Sequence, residues 1–432
     1  MKSDQIVIIG AGLGGMAAAI ALASRGYRVS LYEKNAHAGG KLNYLSRNGF
    51  NFDLGPSILS MPFIFRSLFL SAGRRFEEYV SIERLDLQWR NFFEDGTTID
   101  LVSDYSEQKR LFETLSPKAP DEFRQFLNYS QNQYRIIDRI YFRTGADTFR
   151  GALKHSLFRG FWEVDAFSSM RTSIESHFSD PYLRDVFSYF AKYIGSSPLR
   201  APGFLNLLPW IQYRFGLWYV KNGLVNLARG MVKLLNELNV ELNLNTEVIE
   251  ISASDSRVSG VILKNGKEIP AKIVISNMEI VPAHKKLLHA TPDQLKSFRR
   301  FEPSCSGLVV HLGLDIFYTQ LAHHNFFHSS DSEKYFTSIY KDYRLPDDPT
   351  IYLVAPARTD PTVAPPGCDL IKVLPHIPHL TDKHRYSQHD YWLYKDHLID
   401  KLERMGLTDL HKHIVFEEVK IITTRPVAPF TG

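Results

Sequence analysis

Gly10, Gly12 and Gly15 stand in the spacing G-x-G-x-x-G, and an acid, Glu33, follows about 20 residues later. Glycine at the first position permits a tight turn, and at the second it lets a phosphate approach the backbone. At the third it lets a helix lie close to a strand. The chemistry on offer is a grip on a pyrophosphate by backbone N–H groups, with Glu33 placed to accept hydrogen bonds from a ribose diol. Further on, the paired glycines of Gly39-Gly40-Lys41 let a loop pass close to a bound group, and Lys41 can face a phosphate. Gly55-Pro56, ahead of Ser57, sets a rigid turn.

No other residue pattern names a reaction. Among 16 histidines, His323, His324, His328, His376, His379, His384 and His389 crowd the last third of the chain, without H-E-x-x-H or another fixed metal spacing. No metal site is expected. There is no G-x-S-x-G, and Cys305 and Cys368 have neither nucleophile context nor metal-like spacing. Catalysis, on this reading, is carried by a cofactor, and no catalytic residue is singled out.

The elements needed to position these residues are legible around them. The apolar run Ile6–Ile9 reads as a buried strand, an Ala-rich helix runs to about Arg25 and ends at Gly26, and Arg28–Tyr32 makes a second strand closing on Glu33. This is a βαβ unit with the glycines in its first turn. Trp89–Phe93 and Thr97–Leu101 read as a hairpin around Glu94-Asp95-Gly96. From Ser106 to about Lys192 helical periodicity takes over, rich in charges and aromatics. A helix over Leu227–Leu238 leads into alternating strands with a tight turn at Asn265-Gly266 and a last strand at Lys272–Ile275. There Thr246-Glu247-Val248 would lie along the sheet edge near a nucleotide base. Strands at Leu308–Leu314, Ile351–Ala355 and Leu370–Leu374 make a second sheet, the wall of a substrate site, followed by a helix at Tyr391–Met405 and a strand at His413–Val419.

The 432 residues suffice for two interleaved domains. A net charge of +4 is too small to argue for nucleic acid, and the aromatic share of 13% fits an apolar ligand cavity as well as an aromatic core. Two cysteines suit a reduced, cytoplasmic setting, and the first strand starts too early to leave room for a signal peptide. Phe204–Val220 is interrupted by Gln212 and Arg214, so the chain is read as soluble or peripheral rather than spanning. Arg150, Lys154, Arg159 and Arg171 interleave with Phe149, Leu153, Leu157, Phe158, Phe161 and Trp162, a pattern that suits an interfacial helix on an anionic membrane and equally a helix packed on its own domain.

IIGAGLGGMAAAIALASRGYRVSLYEKNAHAGGK followed by FDLGPSILSMP resembles the bacterial carotenoid desaturase and oxidase family of FAD enzymes. RNFFEDGTTIDL, GLWYVKNGLVNLA, VISNMEIVP, FEPSCSGLVVHLG, LAHHNFF, LPDDPTIYLV, IKVLPHIPHL and KLERMGLTDL resemble the branch that oxidises the terminal methyl of a C30 carotenoid. The resemblance implies an α/β fold: an FAD-binding Rossmann-like (βαβ) domain interleaved with an α+β substrate domain carrying a helical insertion. The division expected is 1–105 and 220–290 for FAD, 106–219 for a mainly helical, membrane-facing insertion, 291–400 for the substrate sheet, and 401–432 for the start of a C-terminal FAD segment. FAD would lie extended, with its pyrophosphate on Gly10, Gly12, Leu13, Gly14 and Gly15 and its ribose on Glu33. Gly40 and Lys41 match the glycine and basic residue beside the phosphates, Gly55, Pro56 and Ser57 the loop near the flavin ring, and Val248 the position meeting the adenine. The family continues with a Thr-Pro-acidic segment, a glycine-rich return to the flavin and a final helix; Lys420–Gly432 matches none of these, and the expected reading is a shortened C-terminus. The implied partner is a long apolar polyene, 4,4'-diaponeurosporene, oxidised to an aldehyde at a peripheral site on the cytoplasmic face of the membrane. A carotenoid desaturase, an amine oxidase on the same scaffold and a non-catalytic isoprenoid-binding protein are the alternatives.

Overall fold

The computed structural model describes residues 2–142, 163–254, 257–381 and 386–422. These fall into two compact units: one holds 2–84, 218–254 and 257–302, the other 85–142, 163–217, 303–381 and 386–422.

In the first unit, β1 (Lys2–Ile9) lies inside a four-stranded parallel sheet, between β2 (Tyr27–Tyr32) and the strand Ile273–Ser276, with Glu241–Asn243 beyond β2. Ile6 pairs with Val29 on one side and Ile273 on the other. Where a strand is paired on both edges and covered on both faces, as β1 is over Ile6–Ile9, its residues are apolar. Accordingly Ile6, Val7, Ile8 and Ile9 are all buried. Their alternation divides two cores. Ile6 and Ile8 meet α1 (Leu13–Ala23) and the helix Val225–Glu237 through Met16, Ile20, Leu227 and Leu234, whereas Val7 and Ile9 meet Val248, Val261 and Leu263 of a three-stranded antiparallel sheet. Each fully buried isoleucine contributes about 1.5–3 kcal/mol.

The second unit is built on seven strands in the spatial order Ile414–Ile422, Ser306–Leu314, Asp369–Ile377, Ile351–Val354, His324–Phe327, Leu87–Phe92, Thr98–Val102. Neighbours are antiparallel except His324–Phe327, which runs parallel to Leu87–Phe92. The helix Gln388–Arg404 buries Leu398, Ile399 and Leu402 in the core of this sheet. The helices Tyr105–Glu113, Ala119–Ile137, Met170–His177, Pro181–Ser188 and Leu207–Phe215 realise the helical texture. Asp104, Ser169 and Asp180 start three of them by accepting hydrogen bonds from the N–H groups of Glu107, Thr172 and Leu183.

Two segments sit elsewhere than the sequence division placed them. The hairpin Leu87–Phe92/Thr98–Val102, assigned to the first FAD segment, is the far edge of the seven-stranded sheet. The strand Ile414–Ile422, taken as a return to the FAD domain, closes the opposite edge by pairing with Ser306–Leu314. Both corrections have one cause: the alternation that marks a strand says nothing of which distant strand it pairs with. Of the basic-aromatic run, 149–162 lies outside the described residues. Arg171 is described, and its guanidinium is tied to Glu175 and Asp185 at 2.7 Å each rather than turned to a surface.

Candidate dinucleotide site and the aromatic interior of the second unit

At the end of β1 the chain must reverse within a few residues to enter α1. Gly10 makes the turn at a φ of 94°, in the left-handed region, while its N–H donates to the Tyr32 carbonyl at 2.8 Å. α1 begins after Gly12 with no side-chain cap and no acid in its first turn. Its N-terminal N–H groups are thus left to an anion. The glycines fit one another closely. A β-carbon on Gly15 would stand 2.0 Å from the Gly10 carbonyl oxygen, and one on Gly14 would stand 2.5 Å from Asn277 Oδ1. Gly40, at a φ of 60°, brings its own β position to 3.1 Å from Gly12 Cα. Gly55 packs on the Lys41 carbonyl, where a β-carbon would lie at 1.9 Å.

Glu33 is 6% exposed and already engaged. One carboxylate oxygen accepts from the Ala11 N–H at 2.9 Å, the other from the Asn35 N–H at 2.9 Å and its side-chain amide at 2.7 Å. A carboxylate has about four acceptor positions, so capacity remains for a ribose hydroxyl. Lys41 carries an exposed ammonium 3.9 Å from Glu279, a weak surface pair from which it can turn.

A cavity of about 720 Å³ opens here within the first unit, within the range of cofactor pockets. Gly10, Gly12, Leu13, Glu33, Gly40, Lys41, Pro56 and Val248 line it, as do Asn35, Thr246, Asn277 and Met278. Gly14, Gly15, Gly55 and Ser57 are not part of the lining; the first three serve the close packing just described. The cations Lys34, Lys41 and Lys286 are matched by Glu33, Glu247 and Glu279, which leaves the helix terminus and backbone as the fixed attraction for phosphate. A narrow glycine cradle beside an uncapped helix start and a spare carboxylate acceptor suits a dinucleotide. Asn277 is the residue that sequence reasoning missed: its N–H donates to the Ile9 carbonyl at 2.8 Å and its side chain lies against Gly12 and Gly14. The available signal was its place at the end of a strand parallel to β1, where ligands of such sheets gather.

The second unit holds the clustered histidines. His323, His324, His328 and His376 are interior groups. His323 shares a hydrogen bond with Thr359 Oγ1 at 2.7 Å, His324 with Tyr352 OH at 3.0 Å and His328 with Asn91 Oδ1 at 2.9 Å. Burial pushes His323 and His328 down to about 3 and His376 to about 4, and His324 well below the usual imidazole range. All four stay neutral at physiological pH. Among the described residues, Asp400, Glu403 and His411 bring ligand atoms within 4.8 Å of one another on the surface, where the His411–Glu403 contact at 3.3 Å accounts for the grouping.

The parallel sheet, the glycine turn and the acid at the end of β2 define a dinucleotide-binding α/β protein. A sequence profile of the flavin containing amine oxidoreductases matches residues 13–343. A 4,4'-diapolycopene oxygenase of Methylomonas is 51% identical over 417 residues, covering 96% of this chain and 84% of that relative. A 4,4'-diaponeurosporene oxygenase of Staphylococcus aureus is 45% identical over 419 residues, with 96% and 84% covered. An oxidoreductase from Methanosarcina mazei shares the fold with a TM-score of 0.66 at 16% identity, over 96% of this chain and 87% of that one. Putrescine oxidase with bound putrescine does so with a TM-score of 0.62 at 13% identity, over 96% and 84%. The chain belongs to the flavin containing amine oxidoreductase family, and it is an FAD-dependent oxidoreductase.

Proposed function

We propose that this protein oxidises the terminal methyl group of a linear C30 carotenoid, such as 4,4'-diaponeurosporene, to an aldehyde. The observation that carries the reading is the 51% identity to a 4,4'-diapolycopene oxygenase along 96% of the chain. FAD would be held with its pyrophosphate at the start of α1, and when bound it would supply acceptance of a hydride from an allylic carbon. Gly10, Gly12, Leu13, Gly14 and Gly15 shape the phosphate cradle, Gly40 and Lys41 flank it, and Gly55, Pro56 and Ser57 form the loop toward the flavin ring. Glu33 receives the ribose, and Val248 sits where the adenine would end. A cation left on a polyene is spread over the conjugated chain, so the chain's own residues need to orient and desolvate the substrate more than to move protons. The buried aromatic side chains of the second unit, with histidines held neutral among them, provide such a medium.

The polyene partitions into lipid, which supports a peripheral position at the membrane, and the proposed setting is its cytoplasmic face. No helix among the described residues is long and apolar enough to cross one. Phe63, Ile64 and Leu70, exposed on the helix Pro62–Ser71, are among the apolar side chains that would be available for lipid contact.

The test is incubation of purified, FAD-supplemented protein with 4,4'-diaponeurosporene in liposomes. The expected product has gained one oxygen and lost two hydrogens. A hydrocarbon with only further double bonds would make the protein a desaturase. Retained pigment with no flavin spectrum and no turnover would make it a binding protein.

A further inference from the structure

Within the second unit, one amine has no place in the reading above. Lys192 Nζ is buried, and it has no hydrogen-bond partner among the described residues. It lies over the rings of Tyr352 at 4.1 Å, Phe326 at 4.3 Å, Trp89 at 4.4 Å and Tyr193 at 4.8 Å. Trp89 and Phe326 are fully buried, whereas Tyr193 keeps 36% of its surface accessible. Nearby, His324 Nε2 and His376 Nδ1 are also without hydrogen-bond partners among the described residues. A lysine needed only for packing would send its ammonium to water or to an acid. Here four ring faces replace both. Burial pushes this amine well below the ordinary lysine range, toward the neutral, nucleophilic form.

We propose that Lys192 is a reactive amine whose aromatic box receives the carbonyl end of an apolar conjugated aldehyde and holds it as an imine. The Nζ lone pair forms a bond to the carbonyl carbon, and both amine protons leave with the carbonyl oxygen as water. Carbon–nitrogen double-bond formation involves no net oxidation, and hydrolysis returns aldehyde and lysine. Flat rings around the amine suit the conjugated tail and would favour the cationic imine once protonated. The ligand class rests on the proposed function, in which the product is such an aldehyde; the site would retain it before release.

The experiment uses the full chain and all-trans-retinal as the probe, at neutral pH with less than one equivalent of aldehyde. Sodium cyanoborohydride then fixes any imine, and peptide mass spectrometry locates it. Surface lysines are almost fully protonated at pH 7, so Lys192 is expected to carry most of the label. In Lys192→Met the label should fall at least tenfold at unchanged thermal midpoint. An unmodified Lys192 peptide beside labelled surface lysines, or label spread evenly over them, overturns the proposal, and the wild-type map decides this even if the variant fails to fold. Labelling requires neither FAD nor turnover. A protein that labels at Lys192 but makes no carotenoid aldehyde keeps this inference and loses the functional reading; one that makes the aldehyde without labelling does the reverse.

Discussion

Gly15 and Glu33 show how little freedom the individual residues of the cradle have. A methyl group at position 15 would meet the Gly10 carbonyl at 2.0 Å, and that carbonyl is backbone that cannot rotate aside. Gly15→Ala must therefore lift α1 off the turn, at a cost of about 1–3 kcal/mol or more. The expected outcome is a lower thermal midpoint and a purified protein with roughly tenfold less bound flavin by absorbance. Glu33 acts on the same turn from the other side, holding the Ala11 N–H and the Asn35 loop, with its remaining acceptor capacity proposed for a ribose. Glu33→Ala strands a buried N–H and should cost about 1–3 kcal/mol together with FAD affinity. Glu33→Gln keeps the size and one good acceptor, so it should recover stability more than affinity; flavin fluorescence titration beside a melting curve separates the two. Equal losses in both variants would mean that the carboxylate only props the turn. These two residues were legible because their spacing is local. Asn277, which fills the space between Gly12 and Gly14, was not: a contact between the first turn and the end of the strand Ile273–Ser276 leaves no mark in either segment's own pattern.

Among the elements, the βαβ unit was readable in outline, although β1 starts at Lys2, ahead of the apolar run, because a run of four apolar residues, an Ala-rich helix and a second short strand each carry their own periodicity. The same holds for the helix Gln388–Arg404, stopped by Gly406 at a φ of 110°. What local pattern could not supply was the assembly of the seven-stranded sheet. It joins Leu87–Phe92 to His324–Phe327 across more than two hundred residues and closes with Ile414–Ile422. Nor could it show that Gln388–Arg404 is locked to this sheet by a buried charge. Lys401 is 1% exposed at its side chain; its ammonium donates to the His328 carbonyl at 2.9 Å and pairs with Asp348. Burial works to raise the Asp348 carboxyl, but Lys401 and the Ser330 N–H outweigh it and hold the group below the usual carboxylate range. Removing one partner of such a pair leaves a charge partly stranded, and Asp348 is about one-third exposed, which softens the loss. Lys401→Met should cost about 2–3 kcal/mol, at the low end for a buried pair, visible as a reduced denaturation midpoint with an unchanged m-value. A neutral or stabilising result would mean that the methionine packs well enough to replace the pair and that helix docking rests on Leu398, Ile399 and Leu402 alone.

For the whole molecule, the uneven distribution of buried histidines sets an acid limit that differs between the two units. His323 lies beside Arg358 and Asp360, His328 beside Lys401, and His376 and His324 beside Lys192, all in the second unit. Folded, His323 and His328 titrate at about 3 and His376 at about 4, depressed above all by burial, with Arg358 adding to the effect at His323 and Lys401 at His328. Unfolded, each would take up a proton near pH 6.5. Between pH 6.5 and about 4 the unfolded chain therefore binds more protons than the folded one, and stability rises with pH. The contribution of these histidines is complete above pH 6.5 and is lost as pH falls toward their folded values, at roughly 1.4 kcal/mol per pH unit for each group fully in that window. Neutral His324 adds in the same direction. The first unit has no described histidine held this way, and its core around β1 is mainly aliphatic. Hydrogen exchange followed by mass spectrometry from pH 7 down to 4.5, with rates corrected for intrinsic pH dependence, should show protection lost first in the strands His324–Phe327 and Ile351–Val354. β1 and β2 should stay protected over that range. Simultaneous loss in both units would show that they unfold as one cooperative body, and loss first in β1 would place the acid-sensitive groups elsewhere. The same imbalance bears on the proposed function, since neutral imidazoles add no fixed charge of their own to an interior proposed to take an apolar polyene. Above pH 6.5 the histidines secure the fold of that interior as uncharged hydrogen-bonding rings, and acid would remove its stability before it reached the grip on FAD.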